Sequence, residues 1–148
     1  MIYTELTKKS LRIAYDAHQG QVDRTGLPYI FHPYHLATQM SDEVSICAAF
    51  LHDVVEDTEI TLDDLIERGI PAEIVEAVRL LTHDESVPYM DYVRNIKDSG
   101  NPVAIAVKLA DLRHNSDPVR MGDEGEKTVA RRERYRAAME LLTEGDGN

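Results

Sequence analysis

The sequence predicts an all-α protein, on three observations. Glycines, prolines and capping residues divide the chain into helix-length pieces, no useful strand alternation occurs, and two pieces are apolar on nearly every side. A surface helix carries one apolar stripe, whereas a helix that is apolar all round lies in a core. The pieces at 44–55 and 102–112 are of the second kind, and they are the expected centre of a bundle of seven or eight helices.

The elements follow in chain order. A first helix is expected from about Thr4 to His18, stopping at Gly20. The stretch DRTGLPYIFHP (23–33) reads as a loop, with Pro33 suited to the first position of a short second helix. Ser41, followed by Asp42 and Glu43, reads as the N-cap of a third helix running to about Val55. Thr61 with Asp64 forms a capping-box pattern, and Gly69 ends that helix. Pro71 opens a helix to about Leu81, and Pro88 another to about Lys97. Asn101-Pro102 is an N-cap followed by a first-turn proline, for a helix to about Asn115. A charged helix covers about Lys127 to Leu142, and the chain is expected to fray from about 143.

The 148 residues suffice for one domain, 1–148, with a full core. A composition of 43% apolar and 29% charged residues is that of a globular chain rather than a disordered one. The one cysteine, Cys47, excludes an internal disulfide and fits a reducing, cytoplasmic setting. The N-terminal stretch MIYTELTKKS lacks the apolar core of a signal peptide, and no apolar run nears the roughly 20 residues that span a bilayer. A net charge of −11 argues against nucleic acid and anionic membranes as partners. It leaves room for a small anion, because a metal ion and a few basic residues can reverse the field of one pocket.

Both central helices end in polar groups. FLHDVVEDT (50–58) carries His52, Asp53, Glu56 and Asp57, and the other carries Lys108, Asp111, His114 and Asn115. On one continuous helix the first four side chains would share an arc of roughly 140°. Carboxylates at a buried, negative helix terminus demand a positive neighbour. Arg or Lys would serve, and a divalent metal would serve better, since His and Asp are ordinary transition-metal ligands. A solvated helix end is the competing explanation. The upstream His32-Pro33 and the isolated Asp111 in the second buried helix favour a metal site.

These residues resemble a known family. The series His32 … His52-Asp53 … Asp111 is similar to the metal signature of the HD phosphohydrolases. GLPYIFHP, HDVVEDT and VKLADLRHN resemble the hydrolase domain of the RelA/SpoT alarmone enzymes and, still more, its short stand-alone relatives. The resemblance runs from about His18 to Asn115. It implies an all-helical HD domain in which His32, His52, Asp53 and Asp111 hold one divalent ion, typically manganese. It implies that Glu56 and Asp57 position and activate the attacking water, that Asn115 hydrogen-bonds the nucleotide and that Tyr29 shapes the pocket. The implied reaction removes the 3′-pyrophosphate of (p)ppGpp, giving GDP or GTP and pyrophosphate. One other histidine, His83, lies between Asp53 and Asp111, which favours a single-metal site.

The chain departs from the family pattern twice. Asp23 stands where the alarmone hydrolases carry an arginine that stacks on guanine, which makes Arg24 the candidate replacement. Ser116-Asp117-Pro118 replaces the usual Met-Arg-Thr, leaving Lys108, Arg113 and Arg120 as candidate phosphate ligands or surface cations. His114 reads either as support for the metal shell or as a satisfied buried histidine. His35 reads as packing or surface, and His18 and His83 as structural or exposed. Tyr89 and Tyr92, near Arg94, read as a base pocket or as core residues with wet hydroxyls. The alternatives to an alarmone hydrolase are an HD phosphatase for another phosphorylated nucleotide or dinucleotide cofactor, a non-catalytic nucleotide-binding HD domain, and a purely structural helical protein. The sequence specifies no oligomeric state or partner protein.

Overall fold

The computed structural model describes residues 1–122 and 125–145. Its helices in order are α1 (Glu5–Ala17), α2 (Phe31–Thr38), α3 (Glu43–Leu51), α4 (Val54–Asp57), α5 (Leu62–Glu67), α6 (Ala72–Leu81), α7 (Tyr89–Ser99), α8 (Pro102–Asn115), α9 (Pro118–Met121) and α10 (Glu126–Thr143). Among the described residues the only extended pairing is an isolated bridge between Val22 and Pro28. The all-α class is therefore as expected. Ten segments appear rather than seven or eight because the third predicted helix is split and a single turn, α9, follows α8. No helix of the described residues is long and apolar enough to cross a membrane.

The two helices that read as apolar all round are the centre. α3 packs against α1, α2, α6 and α8; α8 packs also against α2, α6, α7, α9 and α10. Every residue from Ser45 to Leu51 is buried. Each large side chain there, such as Ile46, Phe50 or Leu51, stabilises the fold by about 1.5–3 kcal/mol when fully buried. Ala48 and Ala49 are fully buried as well. A larger residue at either position costs about 1–3 kcal/mol through overpacking.

The starts of these helices are set by local chemistry. Thr4 and Thr7 form a reciprocal cap on α1, and Thr61 and Asp64 do the same on α5. The Asn101 amide oxygen accepts from Val103 and Ala104 N–H, with Pro102 in the first turn of α8. α7 closes on Gly100, whose φ of 64° is the left-handed conformation that glycine tolerates. Two expectations shift. α3 is capped by Asp42, which accepts from Ser45 N–H at 2.9 Å, rather than by Ser41. Pro33 sits two residues inside α2, still within the first turn, where its missing N–H costs nothing. α10 reaches Thr143, and residues 146–148 of the expected frayed tail lie outside the described residues.

The split in the third helix matters most for the site. α3 ends at Leu51 and α4 begins at Val54. The His52 imidazole donates from Nδ1 to the Ala49 carbonyl at 2.7 Å. In an unbroken helix that carbonyl would accept from Asp53 N–H. His52 and Asp53 therefore occupy a step between two helices rather than the middle of one continuous helix.

Candidate metal centre and substrate cleft

Four elements deliver the predicted ligand set. α2 carries His32, the end of α3 carries His52, the step into α4 carries Asp53, and α8 carries Asp111. One nitrogen or oxygen from each lies within 4.8 Å of all the others. His32 Nε2 is 2.9 Å from Asp111 Oδ1, and His52 Nε2 is 2.9 Å from Asp53 Oδ2 and 3.5 Å from Asp111 Oδ1. The step does not scatter the ligands; it lets His52 and Asp53 turn toward one point.

The donor chemistry fits a divalent cation. Because His52 Nδ1–H is committed to Ala49, its Nε2 faces the two carboxylates, buried and with no well-aligned hydrogen bond. With His52 Nε2 unprotonated, two carboxylates and an imidazole lone pair converge in a buried space, three acceptors that one cation can share. Burial works against a charged imidazole here, yet Asp53 and Asp111 outweigh it and hold His52 well above its ordinary value. The site therefore has a field that calls for positive charge, and a metal satisfies it with the ligand types present.

The flanking groups fix these side chains. His32 Nδ1 meets His114 Nδ1 at 2.8 Å. Burial and the nearby His32 and His35 rings push His114 down to about 4. When His32 carries its proton on Nδ1 and donates it to His114, its Nε2 is left as the ligand atom, the task a supporting partner performs for a metal-binding histidine. His35 stacks on His114 with ring centres 3.9 Å apart and is held by Gln39. The Tyr29 hydroxyl donates a hydrogen bond to Asp53 Oδ2. Buried His18 packs on the Tyr29 ring and bonds Gln21, whose amide donates to the Asp57 carbonyl at 3.1 Å. His18 and Gln21 thus support the floor, a role that residue type alone does not signal.

The cluster opens into a cleft of about 460 Å³. Glu56 and Asp57 line it, as do Tyr29, Asn115 and Arg24. Glu56 is anchored by His83 N–H at 2.6 Å. Burial, with the charges of Asp53 and Glu56, pushes Asp57 up to about 7. Lys108 also lines the cleft but is not a free phosphate ligand. Its ammonium lies 2.9 Å from Asp111 Oδ2 and over the rings of Tyr89 and Tyr92, and the residue is 8% exposed. Tyr92 donates to the Leu81 carbonyl.

One departure from the family pattern, Asp23, is tied to Arg120, just beyond the other at 116–118. Asp23 Oδ1 accepts from Thr25 N–H, the Thr25 hydroxyl and Leu27 N–H, which shapes the 22–28 loop. Its Oδ2 pairs with Arg120 of α9 at 3.1 Å. Arg120 Nε donates to Asn115 Oδ1, and Asn115 Nδ2 donates to Asp111 Oδ1. In this structure, then, Asn115 has both ends of its amide engaged and steadies Asp111. Asp117 caps α9 through Val119 N–H and is absent from the cleft lining. Arg113 and Arg94 are exposed and also absent from it. Arg134 and Tyr135 of α10 do line the cleft. The sequence reading missed both, because they lie on a charged helix with no motif around them.

Comparison with known proteins defines the class. Residues 10–118 match the family model described as the HD domain, and the chain belongs to that family. It is 36% identical over 106 residues to guanosine-3′,5′-bis(diphosphate) 3′-pyrophosphohydrolase MESH1 of Mus musculus, covering 66% of this chain and 59% of the relative. It is 32% identical over 124 residues to the bifunctional (p)ppGpp synthase/hydrolase SpoT of Escherichia coli K12, covering 72% and 18% respectively. The alignments thus span about three-fifths of the first relative and under a fifth of the second. A solved structure, of a metazoan ortholog of SpoT said to hydrolyze ppGpp and to play a role in starvation responses, superposes with a TM-score of 0.75. That match covers 97% of this chain and 86% of the other at 25% identity.

Proposed function

We propose that the chain is a metal-dependent hydrolase that removes the 3′-pyrophosphate of (p)ppGpp, giving GDP or GTP and pyrophosphate. The observation that carries this is the convergence of His32, His52, Asp53 and Asp111 within 4.8 Å at the floor of a cleft that Glu56 and Asp57 also line. The names of the relatives supply the substrate class.

Held by those four residues, a divalent ion, manganese in this reading, would neutralise pyrophosphate charge and acidify water. The remaining work falls to the chain itself. Water adds to the phosphorus that bears the 3′ oxygen, the bond between that phosphorus and the oxygen breaks, and the oxygen takes up a proton. Asp57, with its raised proton affinity, accepts the proton of the attacking water. Glu56, held by His83 N–H, orients that water. Tyr29 and Asn115 hold Asp53 and Asp111 in place through their hydrogen bonds. Arg24 at the mouth meets the nucleotide. Phosphoryl transfer asks for this kind of positioning and charge compensation rather than for a covalent intermediate.

A phosphatase for another phosphorylated nucleotide or dinucleotide cofactor is the second reading. The Asp23–Arg120 pair favours it, because it rebuilds the side of the cleft where the alarmone enzymes carry an arginine. A non-catalytic sensor has little use for Glu56 and Asp57 in the cleft. The test is to load the purified protein with manganese, offer ppGpp beside a panel of phosphorylated nucleotides, and separate the products. Pyrophosphate and GDP from ppGpp support the first reading. Phosphate from another nucleotide, with ppGpp untouched, establishes the second.

A further inference from the structure

The charges lining the cleft sort by position. Two ion pairs are internal: Asp111 with Lys108, and Asp23 with Arg120. Once these are set aside, Asp53, Glu56 and Asp57 remain at the floor, and Arg24 and Arg134 at the mouth. A cleft acidic below and basic above takes a cation at its base and an anion at its opening. Whatever phosphate reacts at the base, a second anionic group has to meet the two guanidiniums.

Arg134 is the better built of the two. Glu133, its neighbour in sequence, pairs with Arg136 at 2.7 Å instead. Among the described residues Arg134 has no carboxylate within ion-pair distance. Its guanidinium lies over the Tyr89 ring at 4.9 Å and 5.8 Å from the Tyr135 ring centre. The Tyr89 ring also touches the Lys108 ammonium, at 5.6 Å, so it stands between the arginine and the residue that holds Asp111. A guanidinium that rests its face on a ring keeps its N–H edge free, and that edge matches two phosphate oxygens.

We infer that Arg134 anchors the phosphate arm of the nucleotide that does not react, the 5′-diphosphate if the 3′ arm lies on the metal-binding floor. The inference rests on the nucleotide hydrolase reading above and adds a diphosphate subsite on α10. It makes Arg134 a specificity residue: substrates that carry charge at both ends gain from it, and substrates charged only at the reacting end do not.

The experiment uses two nucleotides, ppGpp and guanosine 3′-diphosphate with a free 5′-hydroxyl. Manganese-loaded wild type and Arg134→Gln are compared with both, by steady-state hydrolysis and by calorimetric binding. One lost charge-assisted contact is worth about tenfold or more in affinity. Arg134→Gln is therefore expected to raise KM and Kd for ppGpp about tenfold and those for the 5′-hydroxyl compound less than twofold. Arg134→Lys recovers part of the difference. Equal effects on the two nucleotides, or none on either, overturn the subsite even if the wild type hydrolyses both. If nothing is hydrolysed but binding of ppGpp depends on Arg134 as stated, the hydrolase reading fails and the subsite stands. If neither nucleotide binds, both fall.

Discussion

The floor and the mouth of the cleft are built by different means. At the floor, Asp111 rides a long central helix, and His52 and Asp53 follow directly on another whose last seven residues are all buried. The packing of α3 on α8 sets the distance between ligands. At the mouth, an ion pair ties the 22–28 loop to the single turn α9, and aromatic rings hold Arg134 on the exposed face of α10. The floor therefore tolerates little change of residue type, whereas the mouth can exchange one cation for another if a partner changes too. The Asp23–Arg120 pair lies there, and Asp23 is one of the points where the chain leaves the family pattern.

The sharpest way to break this contrast is at the floor. Asp53→Ala and Asp111→Ala should each lose bound manganese and at least about three orders of magnitude in turnover, given what a metal contributes to such chemistry. Metal content after gel filtration and a hydrolysis assay check both. Either variant keeping full metal and full rate removes that residue from the ligand set. Asp111→Ala has a second cost, because it leaves the buried Lys108 ammonium unpaired. Breaking one side of a buried pair costs about 3–5 kcal/mol. Urea unfolding of the metal-free proteins should therefore show Asp111→Ala well below Asp53→Ala, whose carboxylate has no lysine to strand.

Next in size is the pair of acids beside the ligands. Glu56→Gln should keep the metal and lose about 10²–10⁴-fold in rate, the usual worth of a positioned acid or base. Unaltered turnover would falsify its part in the mechanism. Asp57 adds a dependence on pH. In the role proposed for it, Asp57 acts as the carboxylate, so kcat/KM should fall as pH drops through its pKa. That value is about 7 without metal, and a bound dication favours the carboxylate and moves it lower. The acid limb should thus have a midpoint at or below about 7 and vanish in Asp57→Asn. A limb that persists in that variant belongs to another group.

The same contrast explains what could be read from the sequence. The central helices were legible because a segment apolar on every side has one place to go. The clustered His and acidic residues, candidates for metal ligands, were legible because such residues at the ends of buried segments need a reason. The step at His52-Asp53 was not, since it depends on an imidazole taking the Ala49 carbonyl from the backbone ladder, and helical periodicity carries no sign of that. Lys108 looked like a free cation because it lies one turn from Asp111, and only the fold shows that the two bond. α9 is too short to leave a periodic trace. Arg134 reaches the cleft through the way α10 packs on α7 and α8, a relation about which spacing along the chain is silent.

The smallest predicted effect tests the exchange at the mouth. Asp23 has two tasks, shaping the loop through Oδ1 and holding Arg120 through Oδ2. Asp23→Asn removes the charge but keeps an oxygen for the loop, and it should cost about 1–3 kcal/mol of stability, the worth of a hydrogen bond to a charged group. Arg120→Gln should cost about as much, because it strands the Asp23 carboxylate, although the loop donors still meet its Oδ1. Since the side chains of the pair are 8% and 14% exposed, solvent screens them only partly, and the coupling in a double-mutant cycle should be about 1 kcal/mol. Metal content should stay at the wild-type level in all three variants, while KM for the nucleotide rises. Additive losses in the cycle would mean that Asp23 and Arg120 act separately and that Arg120 is placed by Asn115 alone. Lost metal would mean that the chain of hydrogen bonds from Asp23 through Arg120 and Asn115 to Asp111 makes the mouth part of the floor.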